Sequence, residues 1–164
     1  MLTDIGEYIV GAYLQLILEC DVIDYNVRPP GGGVHGLAEF DVIGFDFKNN
    51  TAYLCEVTTH IRGLSYINNK ATVERITEKH NKQKWYADNY LSKNFQSRRF
   101  MFWSPVVPRG YITQELAKIP DLELVINGEY KKKIAELRML ASQTTHDARN
   151  PFFRMLQILE HLRD

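Results

Sequence analysis

The chain has 164 residues, 45% of them hydrophobic and 24% charged, a balance that builds a globular core without disulfides and suits one domain. Two cysteines without metal-binding spacing, no apolar run near the ~18 residues of a membrane span and no basic leader at the N-terminus argue against a disulfide scaffold, a membrane span and a secretory signal; a reduced, cytoplasmic protein is expected. Net charge is zero, which lends no support to nucleic-acid binding, but residues 1–61 carry two Lys/Arg against nine Asp/Glu and residues 62–99 carry nine against three. An acidic stretch beside a basic one suits a metal site next to a phosphate-binding surface, although a basic helix is equally a solvated face.

In chain order, a helix is predicted over 4–20, with Thr3 or Asp4 as its cap, apolar nearly all round and therefore buried. Strands follow at about 22–28, 38–46 and 51–58, the first two separated by PPGGGVHG (29–36), which reads as a mobile hairpin loop and lacks the ending of a phosphate-binding P-loop. A long helix is predicted over 70–91, a strand over 99–104, a short helix near 111–118 and a strand near 122–127. Two helices close the chain at about 129–142 and 150–162, with Asn150 as a cap and Pro151 in the first turn. The last is strongly apolar through Phe152, Phe153, Leu156, Ile158, Leu159 and Leu162, so it packs on the core or forms a homodimer contact.

The hairpin between the second and third strands bears on chemistry. Its connection reads FKNN, and a two-residue turn fits at Lys48–Asn49, setting Asp41 opposite Glu56, or at Asn49–Asn50, setting Asp41 opposite Thr58. Opposed residues and alternate residues share a sheet face, so either turn puts Asp41, Glu56 and Thr58 on one face, whereas a three-residue loop separates them. Two carboxylates so close among apolar neighbours repel each other unless water or a cation lies between them. Mg²⁺ and Mn²⁺ take such oxygen ligands.

A helix with an early Glu (GEYIVGAYL, Glu7), a strand with Asp (AEFDVIG, Asp41) and a strand with Glu (CEVTT, Glu56) together resemble the PD-(D/E)XK nuclease superfamily, which includes archaeal Holliday-junction resolvases and many restriction endonucleases. The resemblance spans residues 4–104 and implies a restriction-endonuclease-like αβββαβ core, a mixed sheet flanked by helices, with residues 105–164 adding C-terminal βα elements. It also implies metal ligation by Asp41, Glu56 and the Val57 carbonyl, completed by Glu7. Glu7 shares a helix row with Gly11, Leu14 and Leu18, and Gly6 and Gly11 permit close approach to the sheet; Asp4-x-x-Glu7 also reads as a capping box.

The superfamily's lysine, two residues after the Glu, is Thr58 here. A relocated cation is expected from the helix at 70–91, whose inward stripe reads Val73, Ile76, His80, Gln83, Ala87 and Tyr90, flanked by Lys79 and Lys82. RecB-like relatives carry Gln-x-x-x-Tyr on the corresponding helix; Gln83 matches, but Tyr86 is one residue too close. His80 reads equally as a hydrogen-bonded core residue, and His60 and Arg62 as loop residues within reach of phosphate. The resulting expectation is a Mg²⁺- or Mn²⁺-dependent deoxyribonuclease. The alternatives are a nucleic-acid-binding module that kept the fold and lost catalysis, and an interaction subunit of a defence or repair assembly.

Overall fold

A computed structural model describes residues 2–29 and 39–163. The expected loop at 29–36 lies, from residue 30 onward, outside the described residues. The elements are α1 (Ile5–Leu16), β1 (Val22–Val27), β2 (Phe40–Asp46), β3 (Thr51–Val57), α2 (Asn69–Tyr86) continuing into a π-helical turn (Ala87–Leu91), β4 (Ser97–Ser104), α3 (Tyr111–Leu116), β5 (Leu122–Ile126), α4 (Gly128–Gln143) and α5 (Pro151–His161).

Side-chain caps set several helix starts. Asp4 Oδ1 accepts the Gly6 N–H at 2.8 Å, Asn68 Oδ1 that of Ala71 at 2.8 Å and Asn150 Oδ1 that of Phe153 at 3.0 Å. The Asn150 amide also donates to the Tyr8 carbonyl at 2.9 Å, tying the start of α5 to α1.

The strands form one sheet in the order β1-β2-β3-β4-β5. Neighbours are antiparallel from β1 to β3 and parallel from β3 to β5. A strand presents alternate residues to its two faces. One face sends Val42, Tyr53, Cys55, Met101 and Trp103 into a core with Val10 and Leu14 of α1, Leu137 and Ala141 of α4, and Phe153 and Leu156 of α5. The other packs Ile43, Leu54, Phe100 and Phe102 beneath α2, the π-helical turn and α3. The protein is therefore α/β, with a five-stranded mixed sheet flanked by helices. Of the C-terminal elements, β5 is the fifth strand, and α4 and α5 pack against α1. On α5, Phe153 and Leu156 are buried, while Met155, Ile158, Leu159 and Leu162 face outward. Cys20 and Cys55 are free and buried.

Gly11 lets α1 settle on β1. A Cβ there would stand 2.0 Å from Tyr25 Oη and 2.7 Å from its Cζ, contacts a rigid ring relieves only by moving. Gly11→Ala is expected to destabilise the fold by about 1–3 kcal/mol despite its better helix propensity. A thermal melt indistinguishable from wild type would contradict this.

Candidate functional site

The β2–β3 register runs from Val42↔Cys55 to Asp46↔Thr51, and its next step sets Asp41 opposite Glu56. This is the register expected for a turn at Lys48–Asn49, although all four residues Phe47–Asn50 lie outside the ladder. The loop is closed by Asp46, which accepts from the Asn49 N–H at 2.9 Å and its side-chain amide at 2.7 Å, and by a left-handed Asn50 with φ of 55°. Those hydrogen bonds hold the Asp46 carboxyl below its ordinary range.

Asp41 and Glu56 lie on the sheet face covered by α2, and the two carboxyls sense each other directly. Glu56 is only 4% exposed. Burial and then the neighbouring Asp41 push its carboxyl up to about 8, although Lys79 pulls the other way. Burial also raises Asp41, opposed by the Val57 N–H, which donates to Asp41 Oδ2 at 2.7 Å, and by Lys79. Lys79 projects from α2 and its ammonium contacts Glu56 Oε1. Burial favours neutral Lys79, but Glu56 and Asp41 outweigh it and hold the ammonium above its ordinary value.

The remaining expected residues divide. Gln83, one helical turn beyond Lys79, is 1% exposed, and neither end of its amide has a hydrogen-bond partner among the described residues. The buried Thr58 hydroxyl is likewise unpartnered. Lys82 does not join the site: it sits on the exposed side of α2, paired with Glu78 at 2.9 Å. His80 is buried, its Nε2 3.0 Å from the Pro120 carbonyl and its ring edge-on to Phe100. His60 and Arg62 are exposed.

Glu7 departs from the expected arrangement. Its Oε2 accepts the Asp4 N–H at 3.1 Å, completing the capping box, and the Asn26 amide at 3.1 Å. Burial raises its carboxyl, with Asp41 adding to the effect, so Glu7 borders the acid pair without converging on it. Among the described residues, no three His, Cys, Asp or Glu side chains form a group able to hold a metal ion. The expected three-carboxylate site is thus an Asp41–Glu56 pair with a Lys79 cation, because the helix cap and Asn26 engage the third acid.

Asn26 is the residue sequence reasoning missed. It lies between the pairs Tyr25↔Val42 and Val27↔Phe40, level with Asp41, and has φ of 54°. Positive φ is uncommon in a strand, and Asn tolerates it better than most residues. An Asn within VIDYNVR was the available signal.

Comparison with family models, with curated proteins and with solved structures finds no match for this chain.

Proposed function

We propose that the protein is a metal-dependent phosphodiesterase that hydrolyses DNA, built on a restriction-endonuclease-like core in which Lys79 takes the role of the missing motif lysine. The observation carrying this reading is the contact of the Lys79 ammonium with Glu56, which lies beside Asp41 on one sheet face. The order α1-β1-β2-β3-α2-β4 supports the core assignment. Asp41 and Glu56 suit a hard divalent cation such as Mg²⁺ or Mn²⁺, since a bound cation would offset the burial and the Asp41 repulsion that push the Glu56 carboxyl up. They would hold it together with the Val57 carbonyl, and the cation, when bound, would neutralise phosphate charge and acidify a water.

The chain's own groups supply the rest. Glu56 must lose its proton before it can serve. Lys79, freed from Glu56, offers its ammonium to the phosphate, and the unpartnered Thr58 hydroxyl and Gln83 amide provide further polar contacts. Water attacks phosphorus in line: its oxygen bonds to phosphorus as the bond to the 3′ oxygen breaks. One proton of the water stays on the new 5′-phosphate, and the other balances the 3′ oxygen as it leaves.

Plasmid, linear and branched DNA incubated with Mg²⁺ or Mn²⁺, beside a Glu56→Ala control, tests the reading directly. Metal is also expected to raise the melting temperature of wild type, because a cation that binds only the folded state stabilises it by mass action, and Asp41→Asn is expected to remove most of that response. Equal responses from the two proteins would move the site elsewhere. The engagement of Glu7 by its cap favours a second reading, a nucleic-acid-binding module without catalysis. Salt-dependent DNA affinity with no cleavage under any metal would select it.

A further inference from the structure

α2 carries five Lys/Arg, and four of them are matched by acids: Lys70 by Glu74 at 3.7 Å, Lys79 by Glu56, Lys82 by Glu78 at 2.9 Å and Lys84 by Asp121 at 3.1 Å. Arg75 is the fifth. It is exposed, and among the described residues it has neither an ion pair nor a hydrogen bond. Glu78, three residues on, feels its charge but is held by Lys82. The Arg75 guanidinium stands instead over the Tyr66 ring, with Cζ 4.2 Å from the centroid. A ring face fixes a guanidinium in place without supplying an anion for its N–H groups.

That seat is rigid and lies beside the acid pair. The Tyr66 N–H donates to Thr72 Oγ1 at 2.9 Å. The N–H of Leu64, which is fully buried, donates to the Val106 carbonyl at 2.8 Å. The segment after β3 is thereby pinned to α2 and to the segment after β4. His60 meets the same ring edge-on, 5.8 Å between centroids, and Lys79 is near enough to Tyr66 to interact with it electrostatically. Arg75 and Lys79, four residues apart, are neighbours on one helix face, ~5–6 Å between Cβ atoms. Their charged ends part: Lys79 reaches in to buried Glu56, and Arg75 stays outside on Tyr66. A planar fork of N–H donors without an anion suits a phosphate, which it binds bidentately. A phosphodiester at the Asp41–Glu56 pair would meet Lys79, and the strand continuing from it would pass Arg75.

We propose that Arg75 binds the phosphate adjoining the scissile one, with Tyr66 as its positioning residue, so that the substrate is a strand with more than one phosphate. Which phosphate is scissile rests on the nuclease reading; the Arg75 contact itself is tested by binding alone.

Binding of the full chain to a labelled DNA duplex of about 20 base pairs is measured in chelator across a salt series. Arg75→Ala is expected to weaken binding by about tenfold and to flatten the slope of log affinity against log salt by nearly one, the signature of one lost phosphate contact. Its melting temperature should stay within about 2 °C of wild type, as suits an exposed side chain. Arg75→Lys is expected to restore the slope but only part of the affinity, because an ammonium keeps the charge and loses the fork. Tyr66→Leu is expected to lower affinity at an unchanged slope. Lys132→Ala, which removes a paired cation from α4 on the opposite face of the sheet, is expected to change neither. With Mn²⁺, Arg75→Ala is expected to raise KM for DNA by about tenfold, with kcat within about twofold of wild type. Bis(4-nitrophenyl) phosphate, a diester with a single phosphate, separates the adjoining phosphate from the scissile one. The ratio of kcat/KM for DNA to that for this diester is expected to fall about tenfold in Arg75→Ala. An unchanged ratio would overturn the assignment to the adjoining phosphate. A wild-type slope in Arg75→Ala, an equal loss in Lys132→Ala, or a wild type that binds no DNA at low salt would each overturn the contact. The binding effects without cleavage of either substrate keep the phosphate contact and remove the nuclease; cleavage with Arg75→Ala indistinguishable from wild type removes Arg75 alone.

Discussion

Glu56→Gln is expected to melt roughly 5–10 °C above wild type at about pH 9 without metal, while losing at least ~10³ in cleavage rate. Glu56 has an ordinary carboxyl value of 4.5, which burial first and Asp41 second raise to about 8 in the folded protein. Between those values the folded state retains a proton that the unfolded chain has released, so stability falls as pH rises through the window. Fully ionised, the penalty is on the order of 5 kcal/mol at most, and less once Lys79 has adjusted. Glutamine cannot ionise and escapes it, keeping Asp41 as a partner for Lys79. Below about pH 4.5 the wild-type side chain is neutral in both states, so the two proteins converge. Mn²⁺ should reverse the order near pH 9, stabilising wild type and leaving the variant almost unmoved. Melts at both pH extremes, with chelator and with Mn²⁺, check this. A variant less stable than wild type at both extremes would mean that Glu56 is a structural partner of Lys79 and no cost to the fold.

How much was legible in the sequence depended on what each inference required. Placing Asp41 and Glu56 on one sheet face needed only that the hairpin loop be even. The observed four unpaired residues satisfy that as well as two would, so parity survived a wrong turn length. Choosing between Lys79 and Lys82 required the phase of α2 to within one position, and the apolar stripe did not supply it. Tyr90 shows how phase is lost: extrapolating the α-helical stripe puts it inside, but the π-helical turn advances the register, so Leu91 is buried and Tyr90 faces out. For Glu7, both readings described real contacts. The cap is local and won the side-chain oxygen; the Asp41 neighbourhood depends on packing between α1 and the strand ends. Asn26 left one trace, an Asn within VIDYNVR, because its role arises from a positive φ that no periodic pattern encodes.

Lys79→Ala is expected to lower the cleavage rate by well over tenfold, a loss of at least ~1.4 kcal/mol of transition-state stabilisation, and Thr58→Lys is expected to recover much of that loss when added to it. Position 58 lies two residues beyond Glu56, just past the end of β3, and Lys79 contacts Glu56 from α2, so a lysine at 58 would approach the carboxylate from a different element. If one ammonium suffices, its origin should matter little. The same logic makes Thr58→Lys nearly silent in wild type, where Lys79 already supplies the charge. It even predicts a modest penalty there, because a second buried ammonium near the first costs desolvation and repulsion, and Thr58 is itself buried. The four proteins form a double-mutant cycle, and the interaction between the substitutions should be large and favourable. Additive losses would show that position 58 cannot replace Lys79. A wild type inert on every DNA form beside a cleaving Thr58→Lys variant would show instead that Lys79 never replaced the motif lysine, and that the chain keeps the remains of an active site.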